Sequence, residues 1–338
     1  MAEHTSPPPV ADAWTEEQWN ALESLLSARV RRSRDDDQAW GLIVRSGRTI
    51  LRSFSTSFFI VTRFLPPRAR DGVEAIYAAV RYPDEIVDTF AIAAHEKIAR
   101  LDRWGQLYEM ALPIASVREA VDLGIPPILA GFARVVQRAG IPAGHYRSFL
   151  DAMRRDAEPR PFATLDELIE NYVYGSAIVV GYFLAYVYGP SRPGEFDRTL
   201  RSARDLAIAL QLTNFARDVA DDQRRGRLYL PLSMLAEERI DVPDINDPRQ
   251  HEQLGRVVAR ISASAEEHYA RAHAGLESFA PDCRVAIDSC IRVYRQLNER
   301  IGAQPAGIAR RESVPMSAKL RVLPPSKYWR LPLAYLTP

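Results

Sequence analysis

From Trp40 onward, apolar residues recur at intervals close to 3.6, and no stretch sustains the alternation of a half-buried strand. That periodicity confines the chain to an all-α architecture. Its interruptions are helix punctuation: Pro66-Pro67, GIPP at 124 to 127, Gly140 to Pro142 and GPSRPGE at 189 to 195. They divide the sequence into roughly nine or ten helices, with no repeat of fixed period.

The expected organisation is an N-terminal extension over 1–38, a helical domain over 39–322 and a tail over 323–338. Residues 1 to 13 are polar and proline-rich and read as disordered. A capping box, Thr15 to Gln18, opens a helix with Trp19, Leu22, Leu25, Leu26 and Val30 at helical spacing. The charged run RRSRDDDQ, 31 to 38, reads as a solvated hinge. A second capping box, Thr164 with Glu167, precedes YVYGSAIVVGYFLAYVYG at 172 to 189, which has 18 residues without a charge. That length meets the threshold for a membrane span. Its five tyrosines, three glycines and lack of a basic flank argue instead for a fully buried helix of a soluble bundle. The tail VLPPSKYWRLPLAYLTP mixes aromatic with basic residues, a pattern suited to a membrane surface or to folding back on the domain.

Charge excludes one class of function. The 44 basic residues nearly cancel the 43 acidic ones, so no global field favours nucleic acid. Cys283 and Cys290 lie seven residues apart in a helical pattern, about two turns (~10 Å), too far for a disulfide. Such thiols fit a reducing compartment, and the N-terminus lacks the pattern of a secretory signal, so a cytoplasmic location is expected.

No dinucleotide fingerprint, Walker loop, zincin motif, C-x-x-C or nucleophile elbow occurs, and the six histidines are scattered. What remains is carboxylate spacing. Asp84 and Asp88, within YPDEIVDTF, are an i,i+4 pair whose side chains rise from one helix face, with Arg81 on the same face. In QLTNFARDVADD, Gln211, Asn214, Asp218, Asp221 and Asp222 follow steps of three and four, a polar stripe opposite apolar residues such as Leu212 and Phe215. A lone D-x-x-x-D is usually a solvated helix edge. Apolar residues around Asp84 and Asp88, and the neutral amides in line with the second set, argue against that here. Like charges so close demand a counterion, and all-oxygen ligands suit magnesium bridging carboxylates to phosphates. Two facing carboxylate helices would then hold a metal-diphosphate cluster, with Arg217, Arg224, Arg225 and Arg227 steadying the departing diphosphate.

These residues resemble the squalene/phytoene synthase family, head-to-head prenyl transferases of the isoprenoid synthase fold. SFSTSFFIVTRFLP (53 to 66) resembles its serine-rich helix and AIYAAVRYPDEIVD (75 to 88) its first aspartate-rich motif. QLTNFARDVADDQRRGRLYLP (211 to 231) matches the second motif nearly throughout, with weaker echoes in FATLDELIENYVYGSAIVVGYFL, VYRQL and RRESVPMSAKL. The resemblance spans residues 40 to 322 and implies a helical bundle around an apolar cavity. It implies Mg2+, or Mn2+, and diphosphate held by Asp84, Asp88, Asn214, Asp218 and Asp222, with Gln211 nearby. Diphosphate contacts would come from Arg81, Arg217, Arg227, Tyr294 and Arg311, and from Ser55 and Ser57. One allylic diphosphate would ionise and be attacked by the other, giving a cyclopropylcarbinyl diphosphate that ionises again and rearranges.

DEIVD resembles the form common in phytoene synthases, so the expected reaction joins two C20 diphosphates to phytoene. The alternatives are a C15 enzyme making squalene, presqualene diphosphate, hydroxysqualene or diapophytoene, and a class I terpene cyclase or chain-elongating transferase on the same fold. A non-catalytic helical scaffold is the remaining reading. Only a squalene synthase would need NADPH. Peripheral membrane contact for a lipophilic product and a monomer or dimer are the expected associations. Three positions depart from the family: Pro83 before Asp84, Ile178 where glycine is frequent in the pocket helix, and Phe54 in place of a polar residue. Pro83 is expected to tilt the last turn so that both acids reach one magnesium.

Overall fold

The computed structural model describes residues 14–303 and 311–336, so the reading of residues 1 to 13 lies outside the described residues. Among the described residues there is no strand, only an isolated bridge between Pro190 and Phe279. The chain divides into two compact units, one comprising residues to Phe59 with Pro67–Glu158, the other Ile60–Pro66 with the remainder from Pro159. There are more helices than periodicity alone suggests, because segments such as Val117–Asp122 and Leu232–Glu237 are shorter than the window over which a period can be read.

In the first unit, Glu16–Arg31 starts at the expected capping box and buries Trp19, Leu26 and Val30. Asp35 caps Asp36–Phe54 by accepting from the Gln38 amide. Of the run read as a solvated hinge, Asp37 is 92% exposed, but Asp36 pairs with the buried Arg134 and accepts from the Ser116 hydroxyl at 2.8 Å. The Asp36–Phe54 helix packs on Pro67–Asp88 with Gly47 at the crossing, where a Cβ would come within 2.5 Å of the Glu74 carbonyl oxygen. Glu74 is fully buried there, and Arg48 Nε donates to both its oxygens at 3.2 and 3.3 Å.

The second unit is built on Phe196–Arg224, packed against His251–Ala274, Pro281–Gly302 and Leu165–Tyr188. Gly181 lets the last of these approach closely: a Cβ would meet the Ala203 carbonyl and the Ala207 methyl, each at 3.0 Å. The uncharged 172 to 189 stretch, most of this helix, is not fully buried as expected; half of the helix's apolar window is enclosed. The uncharged composition could not distinguish a one-sided from an all-round environment, and the helix packs chiefly along Phe196–Arg224. Residues Ile169–Ile178 within it form a π-helix, a geometry often found at functional sites. Both cysteines are buried and free.

Candidate active site

The first cluster lies in the last turns of Pro67–Asp88, a helix that carries Pro83 in its interior. Proline has no N–H to donate to the carbonyl four residues back. That carbonyl, Ala79 O, accepts instead from the Tyr146 hydroxyl at 2.7 Å, and Tyr146 Oη in turn accepts from Trp104 Nε1 at 2.8 Å. The residues that bear chemistry follow directly. Arg81 donates to Asp84 Oδ2 at 2.5 Å and to Glu85 Oε1, and its guanidinium lies 4.3 Å from the centroid of the Phe54 ring. Burial alone would push the Arg81 pKa down, but Asp84 and Glu85 outweigh it and the net shift is upward, so the cation is fixed. Its Nε is buried without a hydrogen-bond partner, a donor that an anionic ligand could satisfy. Glu85 is completely buried, and desolvation pushes it up to about 7 against the pull of Arg81.

Asp88 is half-buried on the same helix, and Asp84 keeps 32% of its side chain exposed. Ser55 sits between two helices, where its Oγ accepts from the Phe58 amide at 3.4 Å; Ser57 is half-buried in the following turn.

The second cluster belongs to Phe196–Arg224. Thr213 points into the core, bonded to the Ala209 carbonyl at 2.8 Å and to Tyr269 Oη at 3.0 Å, which fixes the rotation of the helix. The opposite arc therefore carries Gln211, Asn214, Asp218, Asp221 and Asp222, the expected stripe. Arg217 grips Asp218 with two donors, Nε at 2.8 Å and Nη2, and Arg311 Nε reaches the same carboxylate at 2.7 Å. Burial would raise the Asp218 pKa, but Arg217 and Arg311 more than offset it and hold the group below the usual carboxylate range. Asp221 pairs with Arg224 and lies 3.8 Å from Arg311.

The end of this helix explains why Arg227 belongs to the site. Gly226 takes φ 73°, the left-handed conformation of a helix C-cap, and the Arg227 amide returns to the Asp222 carbonyl at 2.9 Å. Asp222 and Arg227 then share a cavity of about 280 Å3 with Phe215, Val219, Tyr229 and Leu254. Tyr172 adds its ring to the stack of Phe215 and Tyr229, with its hydroxyl 3.0 Å from Tyr229 Oη. This volume is below the ~300–1,000 Å3 of typical ligand pockets, so it suits an anionic group or part of a chain. Ile178 is fully enclosed and does not line it.

Electrostatic neighbours extend the cluster. Tyr294 acts on Arg217, as does Asp222, and Lys319 is lowered first by burial and then by Arg217 beside it. Lys319 lies within RRESVPMSAKL, where a lysine after two arginines and a proline is too weak a signal on its own to mark it as a site residue.

Among the described residues, no three His, Cys, Asp or Glu side chains are placed to hold a metal by themselves. The donor set is oxygen-only, Asp84 is half engaged by Arg81, and Asp218 by Arg217 and Arg311. Such carboxylates fit a hard cation that takes further ligands from phosphate or water, as magnesium does, and do not fit a closed protein cage.

Residues 51–319 match the model of the family described as squalene/phytoene synthase. The chain is 34% identical to a 15-cis-phytoene synthase of Paracoccus sp. over 277 residues, covering 80% of this chain and 86% of that one. It is 31% identical to a phytoene synthase of Rhodobacter capsulatus, with 81% of this chain and 77% of that one covered. The fold is similar to the crystal structure of a dehydrosqualene synthase in complex with ligand, with TM-score 0.70 and 22% identity across 89% of this chain and 98% of that one.

Proposed function

Because this chain belongs to the squalene/phytoene synthase family, we propose that it condenses two geranylgeranyl diphosphates head to head, through a cyclopropylcarbinyl diphosphate, to phytoene. The single observation that carries the reading is the gathering of Arg217, Arg311, Lys319 and Tyr294 around the Asp218 and Asp222 turn. Four groups of that kind form a receptor for diphosphate, and the two relatives described above are both named as phytoene synthases.

In this reading Arg81, Arg217, Arg227, Arg311 and Tyr294 bind and orient diphosphate, with Ser55, Ser57 and Gln211 as further contacts. The cations disperse the charge that develops on the leaving group as the allylic C–O bond breaks. The aromatic stack of Tyr172, Phe215 and Tyr229 supplies a dry wall whose electron-rich faces suit the allylic cation left behind rather than the departing anion. Asp84, Asp88, Asn214, Asp218 and Asp222 are the residues that would hold magnesium or manganese, which supplies Lewis-acid neutralisation of the diphosphate when bound. Arg217 and Arg311 hold Asp218 below the usual carboxylate range, ready for exchange onto that cation, and Arg81 pairs with Asp84. The enzyme needs no NADPH in this reading, acts in the cytoplasm as a monomer or dimer, and touches a membrane peripherally.

The test is incubation of purified protein with magnesium and either farnesyl or geranylgeranyl diphosphate, with and without NADPH, followed by product identification. A C40 triene core without NADPH is the expected result. Conversion of only the C15 substrate would replace the reading with the squalene or dehydrosqualene alternative, and failure to release pyrophosphate from either would end it.

A further inference from the structure

Residues 51–319 match the family, so the helix Glu16–Arg31 and the Trp14 before it lie outside that match. Both are nevertheless tied into the unit that carries Arg81. Arg100 Nη1 donates to Glu16 Oε1 at 2.6 Å at the start of the helix, and Arg31 Nη2 donates to the Val121 carbonyl at 3.1 Å at its end. Trp19 is 2% exposed, and its ring meets two others, Phe54 at 5.9 Å and nearly parallel, and Tyr82 at 5.4 Å and edge to face. Trp14 closes the group, 5.1 Å from Trp19 and 5.4 Å from Phe54.

Two of these rings border Arg81. Tyr82 follows it in the chain and is held in turn by Trp104 at 4.5 Å, and Phe54 lies beneath the guanidinium, 4.3 Å from its carbon to the ring centroid. The hydrogen bonds of Arg81 to Asp84 and Glu85 hold it along its own helix, whereas the ring holds it from another element. An aromatic face attracts a cation without engaging a hydrogen-bond donor. The attraction therefore persists when Asp84 takes another partner, and it leaves N–H groups for the oxygens of an anion. Phe54 is the last residue of its helix and only half-buried, so its rotamer depends on neighbours from elsewhere, which are Trp14 and Trp19.

We propose that Trp14 and Trp19, acting through Phe54, position Arg81 for diphosphate, so that a helix outside the family match completes this part of the site. The three aromatic side chains are positioning residues: their effect on an anion passes through the guanidinium. The inference rests on the role proposed for Arg81 above and adds a source of order that its acidic neighbours do not supply. It also gives a reason for phenylalanine at 54, one of the three departures from the family, since a polar side chain there offers the cation no ring and the tryptophans no apolar partner.

The experiment is calorimetric titration of the full-length protein with magnesium pyrophosphate, which needs no turnover. Phe54→Leu should bind about 10-fold more weakly than wild type, and Trp14→Leu about 3-fold more weakly. Phe54→Tyr keeps the ring and should bind within about 2-fold of wild type. In the background of Arg81→Gln, whose amide can still bond Glu85, Phe54→Leu should cost nothing further, as expected of a residue that acts through Arg81. Circular dichroism verifies the fold of each variant, and Trp14 is half-buried, so Trp14→Leu with Phe54→Tyr carries the test should Phe54→Leu fail to fold. Equal affinity of wild type, Phe54→Leu and Trp14→Leu overturns the proposal. So does an equal loss from Phe54→Leu with and without Arg81, or Phe54→Tyr that binds as weakly as Phe54→Leu. Those results leave the proposed reaction standing, whereas folded wild type that does not bind magnesium pyrophosphate ends the reading of Arg81 as a diphosphate contact and the positioning with it.

Discussion

Tyr146→Phe isolates one hydroxyl on which the first acidic cluster depends. The ring of Tyr146 packs against Tyr108, Phe132 and Phe149 at centroid distances of 4.7, 4.5 and 5.6 Å, and phenylalanine keeps all three contacts, so no cavity opens. What disappears is a donor to Ala79 O and an acceptor for Trp104 Nε1, both in the buried core. Each buried polar group left without its partner costs about 1–3 kcal/mol, so the variant, which leaves two, should lose roughly 2–6 kcal/mol. Pro83→Ala restores an N–H that can reach Ala79 O, so in that background Tyr146→Phe orphans only the indole and should cost less, by about 1–3 kcal/mol. Equilibrium urea unfolding of wild type, both single variants and the double variant measures this coupling. Effects that add to within about 0.5 kcal/mol would refute the idea that Tyr146 substitutes for the hydrogen bond proline removes.

Other changes probe the second cluster and the core. Asp218→Asn should lower kcat/KM about 100-fold or more while the far-UV spectrum stays the same, because a carboxylate shared by Arg217 and Arg311 becomes a neutral amide; near-normal turnover would remove Asp218 from the machinery. Gly226→Ala should destabilise by about 1–2 kcal/mol through its positive φ alone, since a Cβ there meets nothing within 4 Å, and Gly226→Asn should recover part of the loss. A thiol reagent at neutral pH should label neither cysteine until denaturant is added: Cys283 is fully buried and burial pushes Cys290 up to about 12, leaving it as unreactive thiol. Stoichiometric labelling of the native protein would contradict that burial.

Local patterns were legible in the sequence where the partner lay within one helix. The stripe from Gln211 to Asp222 and the Arg81, Asp84 pairing are consequences of helical spacing, and the structure places them accordingly. Contacts between distant segments were not legible. Tyr146 reaches Ala79 from 67 residues away, and Arg311 reaches Asp218 from 93 residues away, distances at which a single sequence contains no register. Pro83 read as a disturbance because its replacement hydrogen bond lies on another helix. The 172 to 189 stretch read as fully buried because absence of charge does not reveal how many sides of a helix have neighbours. The left-handed Gly226 was an ordinary glycine in QRRGR until the return of Arg227 to Asp222 gave it a reason.

The central claim, that basic and acidic side chains on these helices bind allylic diphosphate for head-to-head coupling, meets its most direct test in the hydrocarbon formed from geranylgeranyl diphosphate and magnesium. The account predicts phytoene with release of pyrophosphate, abolished by a chelator and by Asp218→Asn. Intact substrate recovered from folded wild-type protein, or a cyclised C20 product, would contradict it.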